Sequence, residues 1–114
     1  MGSAVISSPT KEVEQVSREV GQAIRRKDWA TAEAGAGRLL EIAPDHPDSH
    51  LRALQAYLQS SRIDRAAKVA RKSRPNWQVT PRLAHLAMLA LGRAGDRAAA
   101  SDAARLALRG DPQD

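Results

Sequence analysis

Three histidines are the first side chains to weigh for chemistry. His46 and His50 stand four apart, the spacing that places two imidazoles on one helical face, as zinc sites do. Pro47 falls between them and interrupts the helix they would need. No cysteine is present, His85 lies a full unit further on, and no third convergent ligand accompanies the pair. The two histidines therefore read as structural or surface residues, and no metal site is expected. The lack of cysteine also excludes disulfide and thiolate chemistry. No Gly-rich phosphate loop, no Ser–His–Asp arrangement and no acidic pair in a pocket is found, so neither catalysis nor a cofactor is expected.

Arginine is the other group with chemical reach. Of 18 basic residues, all but Lys11, Lys27, Lys68 and Lys72 are arginine; set against 13 acidic residues they leave a formal charge of +5. Such a surface attracts acidic partners, whether peptide, nucleic acid or lipid. The densest basic run is Arg62–Arg74, with Arg65, Lys68 and Lys72 on one helical face and Arg71 beside them. A nucleic-acid backbone would bind there with steep salt dependence. No aromatic residue interleaves the run for base stacking, and cations near a helix C-terminus are favoured by the dipole alone. The run is read as a solvated face. A basic helical nucleic-acid binder stays as an alternative that salt-dependent retardation would reveal.

The elements that position these groups are helices. The chain has 114 residues, 42% of them hydrophobic, with no Phe and only Trp29, Tyr57 and Trp77 aromatic. Its core must be built from Leu, Val, Ile and much Ala, a composition that favours closely packed helices over a sheet. Small residues recur with a period of 34: Ala32, Ala66 and Ala100 form one column, Ala36, Ala70 and Ala104 another. Pro44 and Pro112 match two periods apart. A fixed period with small residues in fixed columns signals stacked helix pairs.

Six helices follow. Ser8 caps the first and Pro9 takes its first position; Val13, Val16, Val20, Ala23 and Ile24 give it an apolar stripe running to about Arg26. After a Lys27-Asp28 turn the second spans Trp29–Ile42, with Trp29 read as core and Gly35 and Gly37 read as packing glycines. Asp48 or Ser49 caps the third, which ends at a Ser60-Ser61 turn. The fourth spans Ile63–Ser73 and is broken by Pro75, leaving 74–80 as an irregular joint around Trp77. That tryptophan is read as linker packing or, if exposed, as a binding anchor. Thr80-Pro81 repeats the Ser8-Pro9 device for the fifth, and the sixth ends near Arg109, before Gly110-Asp111-Pro112. The units cover about 8–44, 47–75 and 80–112 of an 8–114 domain. Residues 1–7 are expected to be disordered. No run approaches the ~20 apolar residues of a membrane span, and the N-terminus lacks a signal peptide's basic region. A cytoplasmic protein without membrane insertion is expected.

The chain resembles the tetratricopeptide repeat family over Val13–Pro112. The two alanine columns, Asp28, Gly95-Asp96, Tyr57, Pro44 and Pro112 carry the resemblance. It departs where the family prefers Gly and this chain has Val20, Leu54 and Met88, and where the family prefers Ala in the last helical turn and this chain has Leu39, Ser73 and Ala107. The resemblance implies an all-α, right-handed superhelical stack of three helix-turn-helix repeats. The first helix of each unit would line a concave groove and the second would lie on the convex side.

By the same resemblance the groove receives Glu14, Ser17, Arg18, Gly21 and Arg25 from the first unit. The second contributes Asp48, Leu51, Arg52, Gln55, Leu58 and Gln59, and the third Arg82, His85, Leu86, Leu89 and Arg93. Five arginines over leucine floors suit a peptide or helix carrying carboxylates, which guanidinium holds through paired bonds. Alternatively Arg18 and Arg25 are ordinary exposed residues helped by glutamates at helical spacing. The family's clamp for two carboxylates needs Lys and Asn where Ser17 and Gly21 stand, so that ligand does not fit. The expected role is a protein-interaction scaffold. The alternative is a helical region of a larger bacterial enzyme, such as a sulfotransferase or glycosyltransferase, or of a secretion or assembly factor. A last helix without a polar closing element adds the expectation of a homodimer through that face.

Overall fold

Three tight turns set the architecture. Lys27 (φ 60°), Ser61 (φ 63°) and Gly95 (φ 86°) each take the left-handed conformation, 34 residues apart. After each, one backbone bond closes the turn: Asp28 N–H to Ala23 O at 2.8 Å, Arg62 N–H to Tyr57 O at 2.8 Å, Asp96 N–H to Leu91 O at 2.9 Å. Glycine takes this conformation readily, whereas Lys27 and Ser61 hold it against a steric cost.

The computed structural model describes residues 8–110. The expected tail 1–7 and the closing Asp111-Pro112 lie outside the described residues, as does the Ser8 side chain and with it the cap assigned to it. Six α-helices follow in order: α1 (Ser8–Arg25), α2 (Trp29–Ile42), α3 (Pro47–Gln59), α4 (Ile63–Lys72), α5 (Pro81–Arg93) and α6 (Arg97–Gly110). A 3-10 turn, Arg74–Asn76, lies between α4 and α5, and no strand occurs among the described residues.

Each helix packs on its sequence neighbour, and α3 packs also on α1 and α5. The helices α1, α3 and α5 therefore form a continuous inner row. Among the described residues α2, α4 and α6 make no comparable contact with one another.

The alanine columns let the rows approach. Ala32, Ala36, Ala66 and Ala70 are fully buried, against Val16 and Val20 of α1, Leu54 and Tyr57 of α3 and Leu83 and Leu91 of α5 within one continuous core. In α6 the same columns, Ala100 and Ala104, are only half-buried, because no described element covers them as α3 covers α2 and α5 covers α4. Gly35 is a packing glycine: a Cβ there would lie 2.5 Å from Val20 Cγ2. Gly37 is not one, since nothing stands within 4 Å of its would-be Cβ.

Several local expectations are corrected. His46, not Asp48 or Ser49, caps α3: its ring Nδ1 accepts the Asp48 N–H at 3.1 Å. Pro47 explains the shift, because it holds its predecessor extended and suits the first helical position, where no N–H is needed. Thr80 stands before Pro81 without a side-chain cap bond. Helix α4 stops at Lys72, one residue short, and Ser73 turns the chain into the 3-10 segment. Trp29 is only half-buried at the first position of α2, where a turn rather than a helix flanks it.

Trp77 takes the core position instead, at 1% exposure, which removes its alternative role as a binding anchor. Its indole N–H donates to Ser73 Oγ at 2.8 Å, and Ser73 donates to the Ala70 carbonyl at 2.7 Å. The buried serine in a column that favours alanine thus ties the irregular joint to the end of α4. Asn76 adds a bond from Nδ2 to the Asp45 carbonyl at 3.2 Å, fixing the joint to the preceding inter-unit link.

Candidate functional site

Arginines occur on both rows, and their surroundings differ. On or beside the outer helices they meet carboxylates. Arg62 and Arg65 converge on Glu33 of α2 at 3.2 and 3.3 Å. Arg71 reaches Asp96 at 3.4 Å, Arg74 reaches Asp102 at 2.6 Å, Arg105 joins the same Asp102, and Arg38 pairs with Glu12. Four of the six cations in the run 62–74 thus meet acidic groups of the adjoining units, and Lys68 and Lys72 make no ion pair among the described residues.

On the inner helices Arg18, Arg25, Arg52, Arg82 and Arg93 make no ion pair among the described residues. The helix-spaced glutamates expected to support Arg18 and Arg25 do not pair with them. Arg52 is the half-buried member. Its Nε–H donates to Ser17 Oγ at 2.8 Å and its Nη1–H to Gln55 Oε1 at 3.0 Å, so the side chain bridges α1 and α3. It lies across Gly21: a Cβ there would meet Nη1 at 3.0 Å and Cζ at 3.3 Å. Burial first, then the charges of Arg82 and Arg25, hold its pKa below the ordinary arginine value, while Asp48 opposes them. It remains a cation, since guanidinium is not deprotonated in proteins.

The structure thus brings together Ser17, Gly21, Arg52 and Gln55 in contact, with Arg25 and Arg82 near enough to act on Arg52. Leu51, Leu58 and Leu86 are half-buried, and Leu89 is exposed at 37%. Arg18, Gln59, His85 and Arg93 are exposed, and no side-chain hydrogen bond joins them to this cluster. Two features escaped sequence reasoning. One is Gly21 as the seat of Arg52, for which the signal was a glycine and a small hydroxyl one turn apart on an inner helix. The other is the set of acidic partners Glu33, Asp96 and Asp102: apart from Arg105, which follows Asp102 at helical spacing, their arginines lie 25 to 32 residues away.

The histidines do separate jobs. His46 caps α3 as described. His50 is 2% exposed, and its Nε2–H donates to the Pro44 carbonyl at 2.7 Å. Burial lowers its pKa from the ordinary value, so the neutral ring is the folded form. A cleft of about 510 Å³ lies between the 3-10 turn and α6, lined by Arg74, Pro75, Trp77, Gln78, Asp102, Arg105 and Leu106. Its charged groups are already engaged with one another, and Arg74 stacks 5.3 Å from the centre of the Trp77 ring. Among the described residues no helix is long and apolar enough to cross a membrane.

Comparison with known proteins yields no match to a family model, to a curated protein or to a solved structure. The functional reading rests on the residues themselves.

Proposed function

We propose that this chain is an interaction module of tetratricopeptide type, whose concave inner face holds an acidic segment of a partner protein. One observation carries the reading: the inner-row arginines lack the carboxylates that the outer-row arginines possess. Uncompensated cations on a concave surface concentrate anions and steer their approach. Guanidinium groups take carboxylates in paired bonds, and Leu51, Leu58 and Leu89 supply apolar contact for the side chains between them. The geometry supports binding without chemistry, so the module would act by bringing its partner to another protein or region.

The test is binding of a fluorescent degenerate peptide pool rich in glutamate. Wild-type protein should bind it at low salt and release it as salt rises. The Arg52→Ala/Arg82→Ala double variant should bind at least about tenfold more weakly, the loss of one charge-assisted contact or more. Equal binding by wild type and variant overturns the proposal.

A further inference from the structure

We propose that Arg52, seated on Gly21 and held by Ser17 and Gln55, receives a phosphorylated serine or threonine of that partner segment. The inference rests on the acidic-peptide reading above and narrows it to one kind of acidic group.

The first argument is preorganisation. A free arginine on a surface samples many rotamers, and ordering it on binding opposes affinity. Arg52 is ordered beforehand by Ser17 Oγ at 2.8 Å and Gln55 Oε1 at 3.0 Å. Those two bonds use Nε and Nη1. Nη2 has no protein acceptor among the described residues, so part of the donor fork is left for a ligand. The fork lies flat because residue 21 has no side chain: the space a Cβ would take is 3.0, 3.3 and 3.4 Å from Nη1, Cζ and Nη2.

The second argument is charge. Arg25 and Arg82 come from the two helices that flank α3, and neither has an ion-pair partner among the described residues. Asp48 is the one carboxylate acting on Arg52, and it stands outside ion-pair distance. Arg52 is thus an ordered cation whose nearest charged influences are two further unpaired arginines and the single carboxylate of Asp48. A carboxylate brings a single charge; a phosphate monoester brings about 1.5–2 charges and three acceptor oxygens, enough for more than one arginine at once. Planar guanidinium matches that geometry better than an ammonium would.

The third argument separates a phosphopeptide from a nucleic acid, which carries the same phosphate. Single-strand binders stack bases on aromatic side chains. Here Tyr57 and Trp77 are buried at 7% and 1% exposure, and Trp29 stands on the outer helix α2. The inner row offers leucines in place of a stacking surface.

The experiment uses three degenerate peptide pools identical except for a central phosphoserine, glutamate or serine, titrated by fluorescence anisotropy, with an unlabelled single-stranded oligonucleotide as competitor. Wild type should bind the phosphoserine pool at least about tenfold tighter than the glutamate pool. Arg52→Lys keeps the charge but loses the fork, and Gly21→Ala keeps the arginine but displaces it. Both should erase the phosphoserine preference. Circular dichroism of Gly21→Ala should show wild-type helix content, so its loss of preference is not a loss of fold. Equal binding of the phosphoserine and glutamate pools overturns this inference and leaves the acidic-peptide reading standing. Binding of neither pool overturns both. A preference that survives Gly21→Ala, or full displacement by the oligonucleotide, also overturns it.

Discussion

Along the outer row Arg62 and Arg65 close on Glu33, Arg71 on Asp96, and Arg74 and Arg105 on Asp102; Arg97 is the outer arginine with a described side chain that ends without a partner. Along the inner row Arg25, Arg52 and Arg82 end on no carboxylate, and Arg52 is held by neutral groups, a hydroxyl and an amide. The same residue type thus does two jobs. The pairs of Arg62, Arg65, Arg71 and Arg74 cross from one unit to the next and help fix how the units stack. Inner arginines make no ion pair among the described residues. Both rows carry unpaired cations, Lys68, Lys72 and Arg97 among them on the outer side, so the rows differ in how their arginines are held rather than in the sign of their charge.

That comparison depends on the rows being held apart at a fixed distance, which is set where α1 meets α2. Gly35 faces Val20, a fully buried β-branched residue with little χ1 freedom, and an added Cβ would lie 2.5 Å from its Cγ2. Gly35→Ala is expected to lower stability by about 1–3 kcal/mol, because the overpacking outweighs a gain in helix propensity of about 1 kcal/mol. Gly37→Ala meets nothing within 4 Å and should raise stability by up to about 1 kcal/mol. Urea unfolding followed by circular dichroism reads both. A stabilised Gly35→Ala would mean that the rows do not touch there.

Those two glycines also mark the limit of what a sequence discloses. The alanine columns, the Lys27-Asp28 and Gly95-Asp96 turns and the break at Pro75 were legible because each follows from local rules of period, turn chemistry and proline geometry. Gly35 and Gly37 look alike at that level; only the helix rotation against α1 tells them apart. Sequence alone reads Trp29 as core and Trp77 as linker packing or a binding anchor; Trp77 is the buried one, bonded to Ser73 where α4 has ended one residue early. The inner-face arginines were legible through the repeat resemblance. Their lack of partners was not, because Glu33 and Arg62 are 29 residues apart and meet only through the packing of consecutive units.

On the inner helix α3 the fold biases one titratable group toward its neutral form. His50 on α3 is buried with its Nε2–H on the Pro44 carbonyl, while Nδ1 is buried without a partner. Burial lowers its pKa most; Lys72 and His46 act in the same direction, and the Pro44 bond and Asp45 oppose them. In the unfolded chain the ring titrates near its ordinary 6.5. Below that value the unfolded state takes up a proton that the folded state resists, so stability is complete above it and declines as pH falls. The urea midpoint should drop between about pH 7.5 and about pH 5.5, and His50→Gln should flatten that dependence. An equal slope in the variant would assign the acid sensitivity to other groups.

The smallest effects test the comparison most directly, because they should differ in sign. Glu33 is only 16% exposed and holds two arginines. Glu33→Gln leaves Arg62 and Arg65 side by side without their counter-charge and should cost about 0.5–1 kcal/mol, toward the upper end for an ion pair near a surface. Arg82→Gln removes a charge that repels Arg52 and has no partner to lose, so stability should hold or rise slightly. Both changes should shrink in high salt, which screens attraction and repulsion alike. Urea midpoints of the two variants at low and high salt supply the measurement. If Arg82→Gln costs as much as Glu33→Gln at low salt, the inner arginine is as engaged in the fold as the outer ones, and its charge is not free for a ligand.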